Sequence, residues 1–228
     1  MGRVTCISGI DTDIGKSVAT GLMARSLLDQ GCSVITQKVV QSGGSGIAED
    51  ILRHRSLMGV ELFPEDKNGT SCPYVFARAC SPHLAAELEG KSIDPQEIER
   101  STRTLAARYD HVLLEGAGGL LVPLTREMTF LDYLERQGYP LVLVSSPRLG
   151  SINHTLAALE LAKGRGLEVK GIVYNCYAGS DEDIRRDSRT VFLASLAKYG
   201  FPPVVVDMEA AECYIEQGRE FPCSAIFE

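Results

Sequence analysis

One stretch near the start, Ser8-Gly9-Ile10-Asp11-Thr12-Asp13-Ile14-Gly15-Lys16-Ser17, restricts the possible folds more than any other. The apolar run Val4 to Ile7 before it reads as a buried strand. Val18 to Gln30 after it carries Ala, Leu and Met at helical spacing without proline. Strand, tight glycine-containing loop, Lys-Ser, then helix is the setting of a P-loop. There, backbone N–H groups and a helix N-terminus surround a polyphosphate, a lysine ammonium reaches its terminal phosphates, and a hydroxyl ligates magnesium. The general spacing G-x-x-x-x-G-K-[ST] wants glycine at position 10 and finds Ile10, with Gly9 one residue early. The bland alternative is an ordinary strand-turn-helix with a chance Gly-Lys-Ser.

The rest of the chain keeps the same alternation. Ser33 to Gln37 reads as a second strand, and Ala48 to Leu52 as the beginning of a helix. Residues 59–82 read as irregular because Pro64, Asn68-Gly69, Pro73 and Pro82 break them. Asp94 with Pro95 is a helix start, N-cap then first position, for a helix ending near Tyr109. His111 to Glu115, Leu141 to Val144 and Val169 to Tyr174 are apolar runs with little alternation, as expected of strands covered on both faces. Helices are expected from Phe130 to Gln137, from Ser151 to about Arg165, and from Asp181, a plausible N-cap, to Tyr199. Val204 to Val206 is a last strand before a mixed tail. Strand and helix in turn predict an α/β fold: a mostly parallel sheet with helices on both faces, as one domain over residues 1–228.

Composition excludes several classes. At 228 residues and 44% hydrophobic content a core is affordable, and no run of about 18 apolar residues is present to span a membrane. The N-terminus reads as a strand rather than a signal peptide. A formal net charge of −7 argues against a nucleic-acid partner. Seven scattered cysteines without a C-x-x-C pair point to reduced thiols in a cytoplasm.

In a parallel sheet, ligands bind beyond the carboxyl ends of the strands. Several strands here end in polar or glycine-rich clusters: the P-loop, Lys38 with Ser42, Glu115 with the following glycines, Ser145 with 149–153, and Asn175. Glu115 stands where a carboxylate would meet P-loop magnesium, or is an acid closing a strand by chance. Asp50 is either a second metal carboxylate or a surface helix-start residue. Lys38 would share a rim with Lys16, and two ammonium groups suit an anionic transition state. Gly118-Gly119 is a tight turn or a place of close substrate approach. Ser151-Ile152-Asn153 is first an N-terminal cap, at a helix start that also suits a carboxylate. Asn175 is a loop amide or a base reader. His83 and His154 read as structural.

These residues, in their order and spacing, resemble the dethiobiotin synthetases. The resemblance rests on Gly9-x-Asp11-Thr12-x-x-Gly15-Lys16-Ser17, Lys38-x-x-x-Ser42-Gly43, Ser81-Pro82-His83, Glu115-Gly116-Ala117-Gly118-Gly119, Leu149-Gly150-x-Ile152-Asn153-His154 and Asn175. It covers residues from about 4 to about 176. The early glycine and the non-glycine at position 10 are features of that family. The resemblance implies an ATP- and Mg2+-dependent cyclo-ligase of biotin biosynthesis, cytoplasmic and homodimeric, acting on 7,8-diaminononanoate and CO2. Asp13, Ile14, Gly15, Lys16, Ser17 and Val18 resemble the phosphate cradle, and Asn175 the adenine reader. Ser17, Asp50 and Glu115 resemble the magnesium ligands. Lys16 and Lys38 resemble the charge stabilisers, with Lys38 and Thr12 near the carbamate. Ser42, Gly118 and Gly119 resemble the diamine side, and Gly150, Ser151, Ile152 and Asn153 the helix start that captures the substrate's carboxylate across the dimer interface.

The chain departs from that pattern in having Val39 where the family has proline. It also has Val206-Asp207-Met208-Glu209 in place of a Gly-x-Ile-Pro turn at the base. The segment before Asp50 varies in length. A competing reading is a P-loop partitioning or regulatory ATPase, which would call for a membrane- or partner-binding element; the 208–228 tail is short and acidic. A third, an amide ligase of cofactor biosynthesis, would bring a glutamine-hydrolysing partner.

Overall fold

The computed structural model describes residues 1–176 and 181–228. The first half runs β1 (Arg3–Gly9), α1 (Lys16–Asp29), β2 (Val34–Lys38), β3 (Gln41–Ser42), α2 (Glu49–Met58), α3 (Pro64–Lys67), β4 (Val75–Phe76), α4 (Pro82–Leu88) and α5 (Pro95–Ala106). The second runs β5 (His111–Gly119), α6 (Phe130–Gln137), β6 (Leu141–Ser145), α7 (Ser151–Gly164), β7 (Val169–Asn175), α8 (Glu182–Tyr199), β8 (Val205–Met208), α9 (Ala211–Ile215) and α10 (Ser224–Phe227). Six strands form a parallel sheet in the order β2-β5-β1-β6-β7-β8. The α/β architecture expected from the sequence is the one observed.

The weak alternation of the strands has a direct cause. Successive side chains point to opposite faces of a sheet, and here both faces are covered. Cys6, Leu114 and Leu143 pack with Ile98, Phe130, Leu159 and Phe192 on one side. Ile7, Leu113, Val142 and Val173 pack with Leu22, Met23 and Leu27 of α1 on the other. Asp94 and Asp181 cap their helices as expected: the Asp94 carboxylate accepts from the Gln96 N–H, and that of Asp181 from the N–H groups of Asp183 and Ile184.

Three readings change. Residues 59–82 hold more order than their prolines suggest. Pro64 opens α3, where the Asp66 carboxylate accepts the Phe63 N–H, and β4 pairs in parallel with β3. Segments this short carry no periodicity to read. The last strand lies at Val205–Met208, shifted beyond the Val204–Val206 run. The mixed tail is part of the core: Tyr214, Phe221, Cys223 and Ile226 are buried against α1 and the sheet.

Chain order and sheet order diverge around β1, which lies between β5 and β6. The parallel strands bring the loops after β1, β2 and β5 out at one rim, this order sets them side by side, and register does the rest. Ile7 pairs with Glu115, and Lys38 pairs with Glu115 from the other side. One residue on, Gly116 lies against the buried ring of Phe130, and a Cβ there would stand 2.3 Å from Phe130 Cε1. Gly116→Ala is therefore expected to destabilise the protein by roughly 1–3 kcal/mol through overpacking. Urea unfolding of the purified variant measures it, and an unchanged midpoint would contradict the packing.

Candidate active site

Gly15 ends the P-loop with φ +99°, and a side chain there would meet Asn175 Nδ2 at 2.5 Å. Only glycine takes that backbone without strain, and it brings the chain into α1 with no side-chain cap and no acid in its first turn. The first N–H groups of α1 thus point to the rim uncapped, and the helix dipole adds positive potential. Asn175 steadies the loop from β7, its Nδ2 donating to the Ile14 carbonyl at 3.0 Å. Lys16 folds back along the loop, its ammonium donating to the Asp11 carbonyl at 2.8 Å. Burial and the neighbouring Lys38 charge pull the Lys16 pKa down to about 8.

Beside the loop, four side chains converge. The Ser17 hydroxyl lies 2.7 Å from Asp50 Oδ1 and 3.0 Å from Glu115 Oε1. Lys38 Nζ donates to Glu115 Oε1 at 2.7 Å and to the Gly116 carbonyl at 3.0 Å, and pairs with Asp50 Oδ2 at 2.6 Å. Burial opposes the Lys38 charge, but Glu115 and Asp50 outweigh it and hold the lysine pKa above its ordinary value. Burial also opposes the Glu115 charge, and Lys38 and His54 reverse that, holding its carboxyl well below the usual range.

Two carboxylates and a hydroxyl around one point form a hard, all-oxygen donor set, which suits magnesium. Among the described residues no cluster of three or more His, Cys, Asp and Glu side chains is placed to hold a metal ion. Magnesium shared with a nucleotide's phosphates needs no such cage, because one or two carboxylates complete its shell. The residues present fit that ion.

A cleft of about 970 Å³ runs along this rim. Thr12, Asp13, Gly15, Lys16, Ser17, Val18, Lys38, Ser42, Asp50, Glu115, Gly118 and Asn175 all line it. Ile14 is buried beneath the loop, Gly119 pairs with Gly9 in the sheet, and neither lines the cleft. Gly118 has φ +69°, and a Cβ there would press on Val122 Cγ2 at 2.7 Å, so the turn itself calls for glycine. Gly150, Ser151, Ile152 and Asn153 lie outside the cleft. Ser151 does not cap α7: Gly150 holds the cap position at φ +92°, no side chain bonds the first turn, and the Ser151 hydroxyl turns to Ser146 at 3.4 Å. The start of α7 is consequently as uncapped as that of α1. Leu149 beside it is 99% exposed, and Arg148 pairs with Asp11 of the P-loop.

Ala210, Ala211 and Glu212, not singled out by sequence, line the cleft end next to Asn175 together with Met208 and Glu209 of the stretch that departs from the family's turn at the base, so the tail shapes the site. His54 reaches Glu115 from behind, and its position four residues after Asp50 was the available signal, since such residues share a helix face.

Comparisons with known proteins give the family. An AAA domain family model matches residues 3–205. The ATP-dependent dethiobiotin synthetase BioD of Chlorobaculum tepidum is 53% identical over 95% of this chain and 91% of its own length. The chain belongs to the dethiobiotin synthetase family. A second member, ATP-dependent dethiobiotin synthetase BioD 2 of Haemophilus influenzae, is 55% identical over 79% of this chain and 95% of its own length. Among solved structures, a ParA family ATPase from Chlorobium tepidum superposes with a TM-score of 0.56 at 14% identity, covering 99% of this chain and 96% of that one. The septum site-determining protein MinD of Pyrococcus horikoshii, solved with Mg-ADP, gives 0.53 at 17% identity over 96% and 85%. At such identities the likeness of this chain to these ATPases is one of fold.

Proposed function

We propose that this chain is an ATP-dependent dethiobiotin synthetase, which joins CO2 to 7,8-diaminononanoate and closes the ureido ring with release of ADP and phosphate. The observation that carries the reading is that Lys16, Lys38, Ser17, Asp50 and Glu115 line one cleft together. One amine of the substrate takes up CO2 to form a carbamate, whose oxygen attacks the γ-phosphate of ATP. The second amine then closes the mixed carbamic-phosphoric anhydride. Such a sequence needs positive charge where the two anions meet and a fixed geometry that keeps water from the anhydride.

The P-loop from Asp13 to Val18 would cradle the phosphates, with Lys16 at the γ-phosphate. Lys38 and Thr12 would hold the carbamate. Ser42, Gly118 and Gly119 would flank the diamine, and Asn175 would face the adenine. Ser17, Asp50 and Glu115 would hold magnesium, which neutralises charge on the transferring phosphoryl group. The uncapped start of α7, Gly150 to Asn153, would take the substrate's carboxylate across a homodimer interface, because its N–H groups and dipole favour an anion. The exposed Leu149 beside it suits burial by a second copy. No helix among the described residues is long and apolar enough to cross a membrane, and reduced thiols suit a cytoplasmic setting.

Incubating purified protein with diaminononanoate, bicarbonate and MgATP is expected to give dethiobiotin, detected by mass spectrometry. GTP and CTP in parallel reactions report the base preference of the end formed by residues 208–212. Absence of product at saturating substrate would overturn the assignment.

A further inference from the structure

We propose that His54 is a positioning residue for the metal site: it grips one oxygen of Glu115 so that the other faces Ser17 and Asp50. The inference rests on the reading of Glu115 as a magnesium ligand, and it adds a residue outside the ligand set.

α2 carries Asp50 and His54 one turn apart on the same face, so a single helix delivers a carboxylate to the site and a support for the other one. His54 is completely buried, and both ring nitrogens are engaged. Its Nε2 lies 2.7 Å from Glu115 Oε2, the oxygen opposite to the Oε1 that meets Ser17 and Lys38. An ionised carboxylate only accepts, so Nε2 carries the proton and donates. Nδ1 lies 2.9 Å from the Thr36 hydroxyl oxygen, and that oxygen accepts from Arg55 Nη1 at 2.7 Å.

Arg55 is itself fixed by a two-pronged pair with Asp66, both contacts at 2.8 Å. A run of contacts from Asp66 through Arg55 and Thr36 therefore locks the imidazole from swinging away. A carboxylate held by one oxygen has its rotation removed before any cation arrives, and such outer partners typically contribute 10–100-fold in metal affinity. A histidine that merely filled space would not need its second nitrogen tied to a buried threonine and its first to the site's carboxylate.

The test compares wild type with His54→Leu, His54→Gln and Glu115→Gln. Mn2+ is titrated into each protein with ADP present, and free Mn2+ is followed by electron paramagnetic resonance. The rate is measured separately against Mg2+ concentration. His54→Leu is expected to raise the Mn2+ dissociation constant and the half-saturating Mg2+ concentration together by about 10–100-fold, with KM for the diamine unchanged. His54→Gln, whose amide N–H can replace that of Nε2, is expected to recover part of the loss. Wild-type Mn2+ affinity in His54→Leu would overturn the proposal. So would equal losses in both His54 variants that track an equal fall in melting temperature, since that is the mark of packing alone. Wild-type affinity in Glu115→Gln would instead remove the ligand assignment beneath it.

Discussion

Lys38→Ala is expected to lower turnover by roughly 10²–10³-fold, the usual cost of losing one charge aimed at a developing anion, while changing nucleotide affinity little. The lysine ends β2 beside Glu115 and Asp50, and in the proposed reading the carbamate would take one of the three N–H donors that Glu115, Asp50 and the Gly116 carbonyl hold here. Lys16, the P-loop's own ammonium, remains for the triphosphate. Arginine is not expected to rescue, because the side chain is buried and a planar guanidinium does not fit a point-charge site. Product formation at saturating substrate, set against nucleotide binding by calorimetry, separates the two effects. Equal losses in turnover and in nucleotide affinity would contradict a role on the carbamate side.

Arg55→Leu is expected to cost about 3–5 kcal/mol of stability at neutral pH, the scale for stripping one partner from a buried ion pair. Arg55 and Asp66 are both buried, and Arg55 also lies 4.8 Å from the centre of the Phe63 ring. Burial alone would raise the Asp66 pKa, but the Arg55 guanidinium overrides it and holds the carboxyl below its usual range. A carboxyl depressed in the folded state stabilises above its unfolded pKa of about 3.9 and loses that contribution as pH falls through the folded value. In the variant, Asp66 is buried without its cation, and acid relieves the penalty by protonating it. The deficit relative to wild type should therefore be larger at pH 7 than at pH 4. Urea unfolding at both values measures it, and a deficit independent of pH would sink the ion-pair account.

The arrangement of the site was legible in part. The P-loop was readable because strand, loop, Lys-Ser and helix are adjacent in sequence, so local rules suffice. Lys38 and Glu115 were readable as strand-end residues on apolar runs. What sequence missed is what depends on distant chain: His54 meets Glu115, 61 residues away, and the one local hint was its spacing of four residues from Asp50, which says nothing of Glu115. The Ser151 cap failed for a similar reason. Its preference for helix starts is real, but Ser146 captured the hydroxyl and Gly150 took the cap position. The tail looked mixed because its apolar residues are spaced by Gly218 and Pro222, and only the docking onto α1 shows that Tyr214 and Phe221 belong to the core.

Sequence by itself determined the alternation of buried strands and amphipathic helices, and with it a parallel sheet carrying a phosphate loop at the end of its first strand. Those properties follow from periodicity and from backbone preferences, which act over a few residues. Tertiary structure decided which strand lies beside which. It set β5 between β1 and β2, so that Lys38, Glu115 and Ser17 meet around one point. That outcome depends on a register summed over three strands and on the packing of two covered faces, neither of which any single stretch of chain contains.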